Sequence, residues 1–142
     1  MTETILRKSI YLKATPAQVW AYLTEPEKLA IWFHKPPAPL TEGSYEMFGT
    51  ESGDKLMWGE VLVAEPYARL EYTFGIKPMG DAMSTVKWRI EEVPGGTNLS
   101  LEHIGLPQGA EAFSLTLALD KGWDDHLGRM RLSVHEVAEA NA

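Results

Sequence analysis

The last quarter of the chain, from about residue 113 to residue 139, contains no proline and repeats apolar residues at spacings of four and three. This pattern predicts one long amphipathic helix with a single apolar stripe. The stripe consists of Leu119, Trp123, Leu127, Met130, Val134 and Val137. A helix of this kind is stable only when another surface covers its stripe. The preceding residues must therefore supply that surface.

The middle of the chain predicts an antiparallel β-meander. Strand-like segments are expected at residues 44–49, 55–65, 69–76, 83–93 and 97–104, with short turns such as Pro94-Gly95-Gly96 between them. Alternation is clearest where Leu70 and Tyr72 oppose Glu71. The strand around residues 57–61 is apolar on both faces, so its orientation is left open. Most of these strands should bury one face only.

A further strand is expected at residues 5–13, with its apolar face formed by Leu6, Ile10 and Leu12. Thr15 then fits a helix N-cap, with Pro16 in the first helical position and Gln18 at the capping-box spacing. Thr24 and Glu27 repeat that spacing and predict a second short helix. Its apolar residues are Leu29, Trp32 and Phe33. A proline-containing loop at residues 34–43 returns the chain to strands.

These elements predict one α+β domain over residues 1–142. We expect a curved antiparallel sheet of about six strands, two short helices after the first strand, and a long C-terminal helix packed across the sheet. With 142 residues the chain is long enough for a single hydrophobic core.

Composition excludes several classes of function. The chain has no cysteine, which removes disulfides, thiolate nucleophiles and zinc sites with sulfur ligands. Its net charge of -7, without a basic stripe, argues against nucleic-acid binding. No apolar run approaches the roughly 20 residues of a membrane span, so no membrane insertion is expected. Residues 1–4 lack the features of a signal peptide, and we expect a cytoplasmic protein.

Several short segments, in this order, resemble one known superfamily. They include Thr15-Pro16-Ala17-Gln18-Val19-Trp20, Gly59-Glu60-Val61, and Gly122-Trp123 followed by Leu127. The chain is similar to the SRPBCC (START-like, Bet v 1-like, helix-grip) superfamily, and most closely to its branch resembling the activator of heat shock protein 90 ATPase homologue. The resemblance implies a sheet that grips the C-terminal helix around a largely apolar cavity. Members include lipid carriers, polyketide cyclases, hormone receptors and co-chaperone domains, so no catalytic residue is carried over.

A ligand site is expected inside that cavity. Strand alternation places His103 on the apolar face near the end of its strand, where an imidazole could orient a ligand or act as a base. The alternative is a core histidine whose ring is satisfied by a backbone carbonyl. The expected ligand-binding residues are Trp32, Tyr72, Trp88, His103, Trp123, Leu127 and Met130. The interpretation is therefore a protein that binds a small hydrophobic or amphipathic ligand.

Two other functions stay open. One is an enzyme of the cyclase, dehydratase or hydrolase type that uses His103 in the same cavity. The other is a co-chaperone-like interaction module, for which contact with heat shock protein 90 follows only from the family resemblance. A homodimer is compatible with a domain of this size. No cofactor and no complete catalytic constellation is expected, since a Gly-x-Ser-x-Gly elbow and a phosphate-binding loop are both missing.

Two features of the long helix need an explanation. Asp120 and Asp124 share a helix face that His126 does not, which favours a solvated acidic face over a metal site. Gly122 and Gly128 lie in the middle of the helix, where glycine is unfavourable. They predict either a close approach of the helix to the sheet or room for a ligand.

Overall fold

A computed structural model describes residues 4–140, with side chains described through residue 137. Within these residues the strands are β1 (Leu6–Leu12), β2 (Gly43–Phe48), β3 (Lys55–Glu65), β4 (Arg69–Phe74), β5 (Ser84–Val93) and β6 (Gly96–Ile104). The helices are α1 (Pro16–Thr24), α2 (Pro26–Trp32) and α3 (Phe113–Ala140), with short 3-10 turns at Lys77–Met79 and Ala110–Ala112. The predicted α+β class and element order are confirmed. The expectation about a signal peptide concerned residues 1–4, and residues 1–3 lie outside the described part of the chain.

One antiparallel sheet carries all six of these strands in the order β1-β6-β5-β4-β3-β2. Strands β2 to β6 form the predicted meander, while β1 returns to pair with β6 and places Leu6 opposite His103. Helix α3 contacts β1 and α2. Its apolar stripe is buried from Trp123 to Val134, while Leu119 is half-buried and Val137 is 44% exposed. None of the described helices combines the length and apolarity that a bilayer crossing requires.

The start of α1 is built as its sequence predicts. The Thr15 hydroxyl accepts from the Gln18 backbone N–H at 3.2 Å, and the Gln18 side chain accepts from the Thr15 N–H at 2.8 Å. The second cap is different, because the N-cap of α2 is Glu25 and not Thr24. Pro26 occupies the first helical position, so the residue before it must be the cap. Thr24 ends α1 instead, where its hydroxyl donates to the Trp20 carbonyl.

A bulge resolves the ambiguity of β3. Its pairing with β4 shifts between Val61 and Val63. The shift buries Val61 and leaves Leu62 47% exposed. Gly59 lets the strands approach closely here, because a Cβ at this position would lie 2.2 Å from the Thr73 carbonyl oxygen.

The two glycines of α3 do not serve a close approach. A Cβ added to Gly122 or Gly128 would meet no atom within 4 Å outside its own helical backbone. The prediction that they bring the helix close to the sheet is therefore wrong. The stripe contacts the sheet through larger side chains, and both glycines lie beside open space.

Candidate functional site

His103, the predicted polar anchor, lies fully buried on β6. Its Nδ1 is 3.0 Å from Nε1 of Trp123, and its Nε2 is 2.7 Å from the hydroxyl of Ser84. An indole nitrogen can only donate, so Nδ1 accepts from Trp123 and the ring proton is on Nε2. Nε2 then donates to Ser84, whose hydroxyl donates to the Phe74 carbonyl at 3.2 Å. Every polar atom of the ring is thus satisfied within the core.

Burial lowers the pKa of His103 to about 4. The imidazole is therefore neutral near pH 7. A proton on Nδ1 would also point at the Trp123 N–H and break that hydrogen bond. The hydrogen-bond partners of His103 are an indole and a hydroxyl, with no carboxylate among them. This arrangement fixes the ring and does not prepare it as a base.

Four of the predicted ligand-binding residues are aromatic and lie together in the core: Trp32, Tyr72, Trp88 and Trp123. The ring of Trp88 meets Trp32 and Trp123 edge to face, at centroid distances of 5.8 and 5.6 Å. Trp88 also donates from Nε1 to the Tyr72 hydroxyl at 3.0 Å. Burial raises the pKa of Tyr72 far above its usual value, so its hydroxyl stays protonated. Such edge-to-face pairs add stability beyond simple burial.

Side-chain exposure shows how completely this region is filled. The seven predicted ligand-binding residues are 0–4% exposed. The walls of an empty cavity of ligand size would keep surface that a water molecule could touch. These side chains keep almost none, so they pack against one another and form core in this conformation. A ligand among them would have to displace some of them.

A second polar cluster, missed by the sequence analysis, lies where α2 ends against α3. The rings of His34 and His126 are 5.5 Å apart, and Phe33 stacks on His34 at 4.4 Å. Burial, followed by the charges of His126 and Arg129, lowers the pKa of His34 to about 4. Burial also lowers the pKa of His126. Both rings are therefore neutral near pH 7.

His126 lies between a donor and an acceptor. Its Nδ1 lies 2.6 Å from the Arg129 guanidinium and 2.9 Å from the Trp32 carbonyl. Nδ1 accepts from Arg129 when it is unprotonated and donates to Trp32 when it carries the proton, so the tautomer decides which of the two bonds forms. The analysis of helix and strand spacing missed this cluster, because its members come from different elements.

The acidic face of α3 has a partner within the protein. Lys8 lies on the inward side of β1, and its Nζ is 2.7 Å from Asp120 and 3.0 Å from Asp124. Asp120 and Asp124 are 48% and 61% exposed, so the face is solvated as predicted and has Lys8 as an added partner. No three His, Asp or Glu side chains in the described part of the chain group as ligands of a metal ion would.

An open concave site lies between α1 and the C-terminal half of α3. We call it the α1–α3 groove; its volume is about 220 Å³. Its lining residues are Lys13, Ala14, Gln18, Ala21, Tyr22, Lys28, Val134 and Val137. The floor is apolar, while the lysines and the glutamine supply its polar groups. Sequence analysis missed this groove because its walls are more than 100 residues apart in the chain.

Known structures share the fold at low sequence identity. DynU16, a protein of the dynemicin biosynthetic locus, is 24% identical with a TM-score of 0.80; the match covers 94% of this chain and 48% of DynU16. CalU16 from Micromonospora echinospora is 25% identical with a TM-score of 0.70, covering 92% and 74% of the two chains. The Aha1 dimer from Colwellia psychrerythraea is 14% identical with a TM-score of 0.75, covering 92% and 96%.

The chain thus spans about half the length of DynU16. No curated protein matches it. The model of one protein family matches residues 13–134, which is most of the sequence and includes strands β2 to β6, helices α1 and α2, and α3 as far as Val134. The resemblance inferred from the short segments is confirmed by this match: the chain belongs to the family described as Activator of Hsp90 ATPase homolog 1-like protein.

Proposed function

We propose that this protein binds a small amphipathic molecule with its apolar part in the α1–α3 groove. The observation that carries the proposal is an open, concave and largely apolar site bordered by a few polar groups, which is the usual form of a small-molecule site. The helix-grip fold is consistent with ligand binding. The tightly packed interior is less accessible, since its predicted ligand-binding residues are almost completely buried.

The groove also indicates the class of ligand. Lys13 and Lys28 line it, and neither makes an ion pair within the described residues. The Lys28 ammonium lies 5.1 Å from the ring centroid of Tyr22. A carboxylate at the rim would meet two cations while its tail covered Tyr22 and Val134. At about 220 Å³ the groove fits a short alkyl chain or a single ring, because drug-sized ligands need roughly 300–1,000 Å³.

A longer ligand would extend from the groove towards the predicted interior residues. Met130 lies one helical turn before Val134 on the same face of α3. Methionine side chains adapt to new neighbours more readily than branched or aromatic ones. We infer that Met130 is the first of the seven interior residues that such a ligand would displace.

Octanoate and 1-octanol are suitable probes, since they share a tail and differ in charge. We expect octanoate to bind and to shift the NMR signals of Tyr22 and Val134. Lys28→Gln should weaken octanoate binding severalfold and leave 1-octanol binding nearly unchanged. Lys77→Gln is the matched control, because Lys77 is exposed and is not one of the residues that line the groove. Equal binding of octanoate by both variants, or no shift at the groove residues, would contradict the proposal.

The enzyme alternative gains no support from the geometry of His103. A general base must reach the proton that it removes. His103 is 0% exposed and holds its proton against Ser84.

The interaction-module alternative rests on the family description. It has one structural feature in its favour: Phe113 and Leu117 are 59% and 56% exposed, one turn apart on α3. We propose this pair as the contact with heat shock protein 90 or with a second copy of the chain. A solution dimer is described for Aha1 from Colwellia psychrerythraea. Light scattering and a pull-down with purified heat shock protein 90 test the two partners. A monomer that captures nothing would contradict both, and Leu117→Asp should abolish either contact.

A further inference from the structure

A cavity of about 630 Å³ lies on the face of the sheet opposite α3, and we call it the outer groove. Outward-facing residues of β1, β4, β5 and β6 line it. They include the cations Arg7, Arg69, Lys87 and Arg89 and the acids Glu71 and Glu102, and Glu65 beside the groove pairs with Arg69. A local surplus of positive charge is unexpected on a chain whose net charge is -7. This surface would therefore attract anions, whereas the molecule as a whole carries a net negative charge.

The pairing of the strands shows which cations lie next to Glu71 and Glu102. Glu102 is paired with Arg7 on one side, at 2.9 Å, and stands in register with Lys87 on the other. Glu71 accepts from Arg69 at 3.3 Å and also stands in register with Lys87. Glu102 is thus paired with Arg7 of the neighbouring strand, and Glu71 with Arg69 of its own strand. They do not compensate the remaining cation, Arg89.

Arg89 stands directly opposite Arg69 in the ladder between β4 and β5. Two like charges at such a position destabilise a sheet. Arg69 has two acidic partners, Glu65 and Glu71, whereas Arg89 has no ion pair within the described residues. Arg89 lines the outer groove, and none of the described residues accepts a hydrogen bond from its guanidinium.

Two serine hydroxyl groups lie in the same row of cross-strand neighbours as Arg89. Ser100 stands in register with Arg89 and with Ser9. The Ser9 oxygen accepts from Asn98 at 2.8 Å, which leaves its proton free to donate. Cross-strand neighbours are about 5 Å apart, so these groups lie within about 10 Å of one another. Ser9, Ser100 and Arg89 thus bring hydroxyl donors and a positive charge to the outer groove.

We propose that the outer groove binds the phosphate group of a small soluble molecule. A guanidinium fork matches the geometry of a phosphate, and a phosphate carries enough negative charge to balance the surplus of cations. Hydroxyl donors at Ser9 and Ser100 suit the remaining oxygens. This site is on the opposite side of the sheet from the α1–α3 groove and does not depend on the function proposed there.

Pyrophosphate is the probe, titrated into labelled protein at constant ionic strength and followed by NMR. We expect saturable shifts of backbone amides at residues 85–91 and 98–102. Arg89→Gln should weaken binding about tenfold or more, since a hydrogen bond between charged groups contributes about 1.5–3 kcal/mol. Lys35→Gln, a change at an exposed lysine outside the groove, should leave the affinity unchanged.

A second measurement separates binding from folding. Arg89→Gln should unfold at the same temperature or higher, because it removes a like-charge neighbour of Arg69. Pyrophosphate shifts that do not saturate, or that Arg89→Gln leaves intact, would overturn the proposal. So would binding to phosphatidylglycerol vesicles without binding of pyrophosphate, which would assign the surface to lipid headgroups instead.

Discussion

Trp123 on α3 donates a hydrogen bond from its indole nitrogen to Nδ1 of His103 on β6, over 3.0 Å. The bond joins helix to sheet at the point where the sequence predicts a ligand cavity. It also sets the direction of the bonds that follow, from His103 to Ser84 and from Ser84 to the Phe74 carbonyl. A purely apolar ligand cannot take the place of either partner without leaving a buried polar group unpaired.

Removing the donor tests this bond. Trp123→Phe should lower the free energy of unfolding by about 1–3 kcal/mol for the unpaired acceptor, in addition to the loss of packing. Trp58→Phe is the matched control, because the Trp58 indole donates no hydrogen bond within the described residues. Urea denaturation of both variants measures the difference. Equal losses would show that the bond to His103 contributes little.

The folded protein should lose stability in mild acid. His103 has a pKa of about 4 when folded, below its value of 6.5 in an exposed histidine. Above pH 6.5 the ring is neutral in both states and stability does not depend on it. Between pH 6.5 and 4 the unfolded chain binds a proton that the folded chain excludes, so stability falls by up to about 1.4 kcal/mol per pH unit.

His103→Gln should flatten that slope, whatever it does to stability at pH 7. His34→Gln should remove a separate share, because burial also lowers the pKa of His34 to about 4. Denaturant unfolding at several pH values between 4 and 7.5 gives the slopes. A slope unchanged in His103→Gln would mean that this ring does not couple folding to protons.

Lys8 should stabilise the contact between β1 and α3. Its side chain is 16% exposed and bonds Asp120 and Asp124, so Lys8→Met should cost on the order of 1 kcal/mol at low salt. Arg7→Met is the control, since the pair of Arg7 with Glu102 is 64% and 47% exposed and should matter less. Thermal unfolding at low and high salt compares them. A larger loss in Arg7→Met would contradict this ranking.

Glycine replacements distinguish free space from close contact. Gly128→Ala should stabilise the protein by up to about 1 kcal/mol, because its Cβ meets no atom and alanine favours helix. Gly59→Ala should destabilise it, because its Cβ would clash with the Thr73 carbonyl. Melting temperatures of the two variants should therefore move in opposite directions. A destabilised Gly128→Ala variant would instead indicate a contact that needs the glycine.

Local patterns predicted most of the fold. The capping box at Thr15 and Gln18, the strand alternation and the stripe of α3 each depend on residues a few positions apart, where backbone geometry fixes which side chains share a face. The spacing of Thr24 and Glu27 predicts the N-cap of α2 one residue too early, because Pro26 at the first helical position makes Glu25 the cap.

Sequence patterns were therefore enough for the elements, their order and the buried face of most of them, with β3 as the exception. The packed structure was needed to show that His103 is satisfied by Trp123 and Ser84, that Lys8 pairs with Asp120 and Asp124, and that open sites lie beside α1 and on the outer sheet face. The physical reason is that side-chain packing, hydrogen bonding and cavity shape depend on residues brought together from distant parts of the chain. Periodicity identifies which residues face inward, but it does not determine how completely they fill the space between helix and sheet.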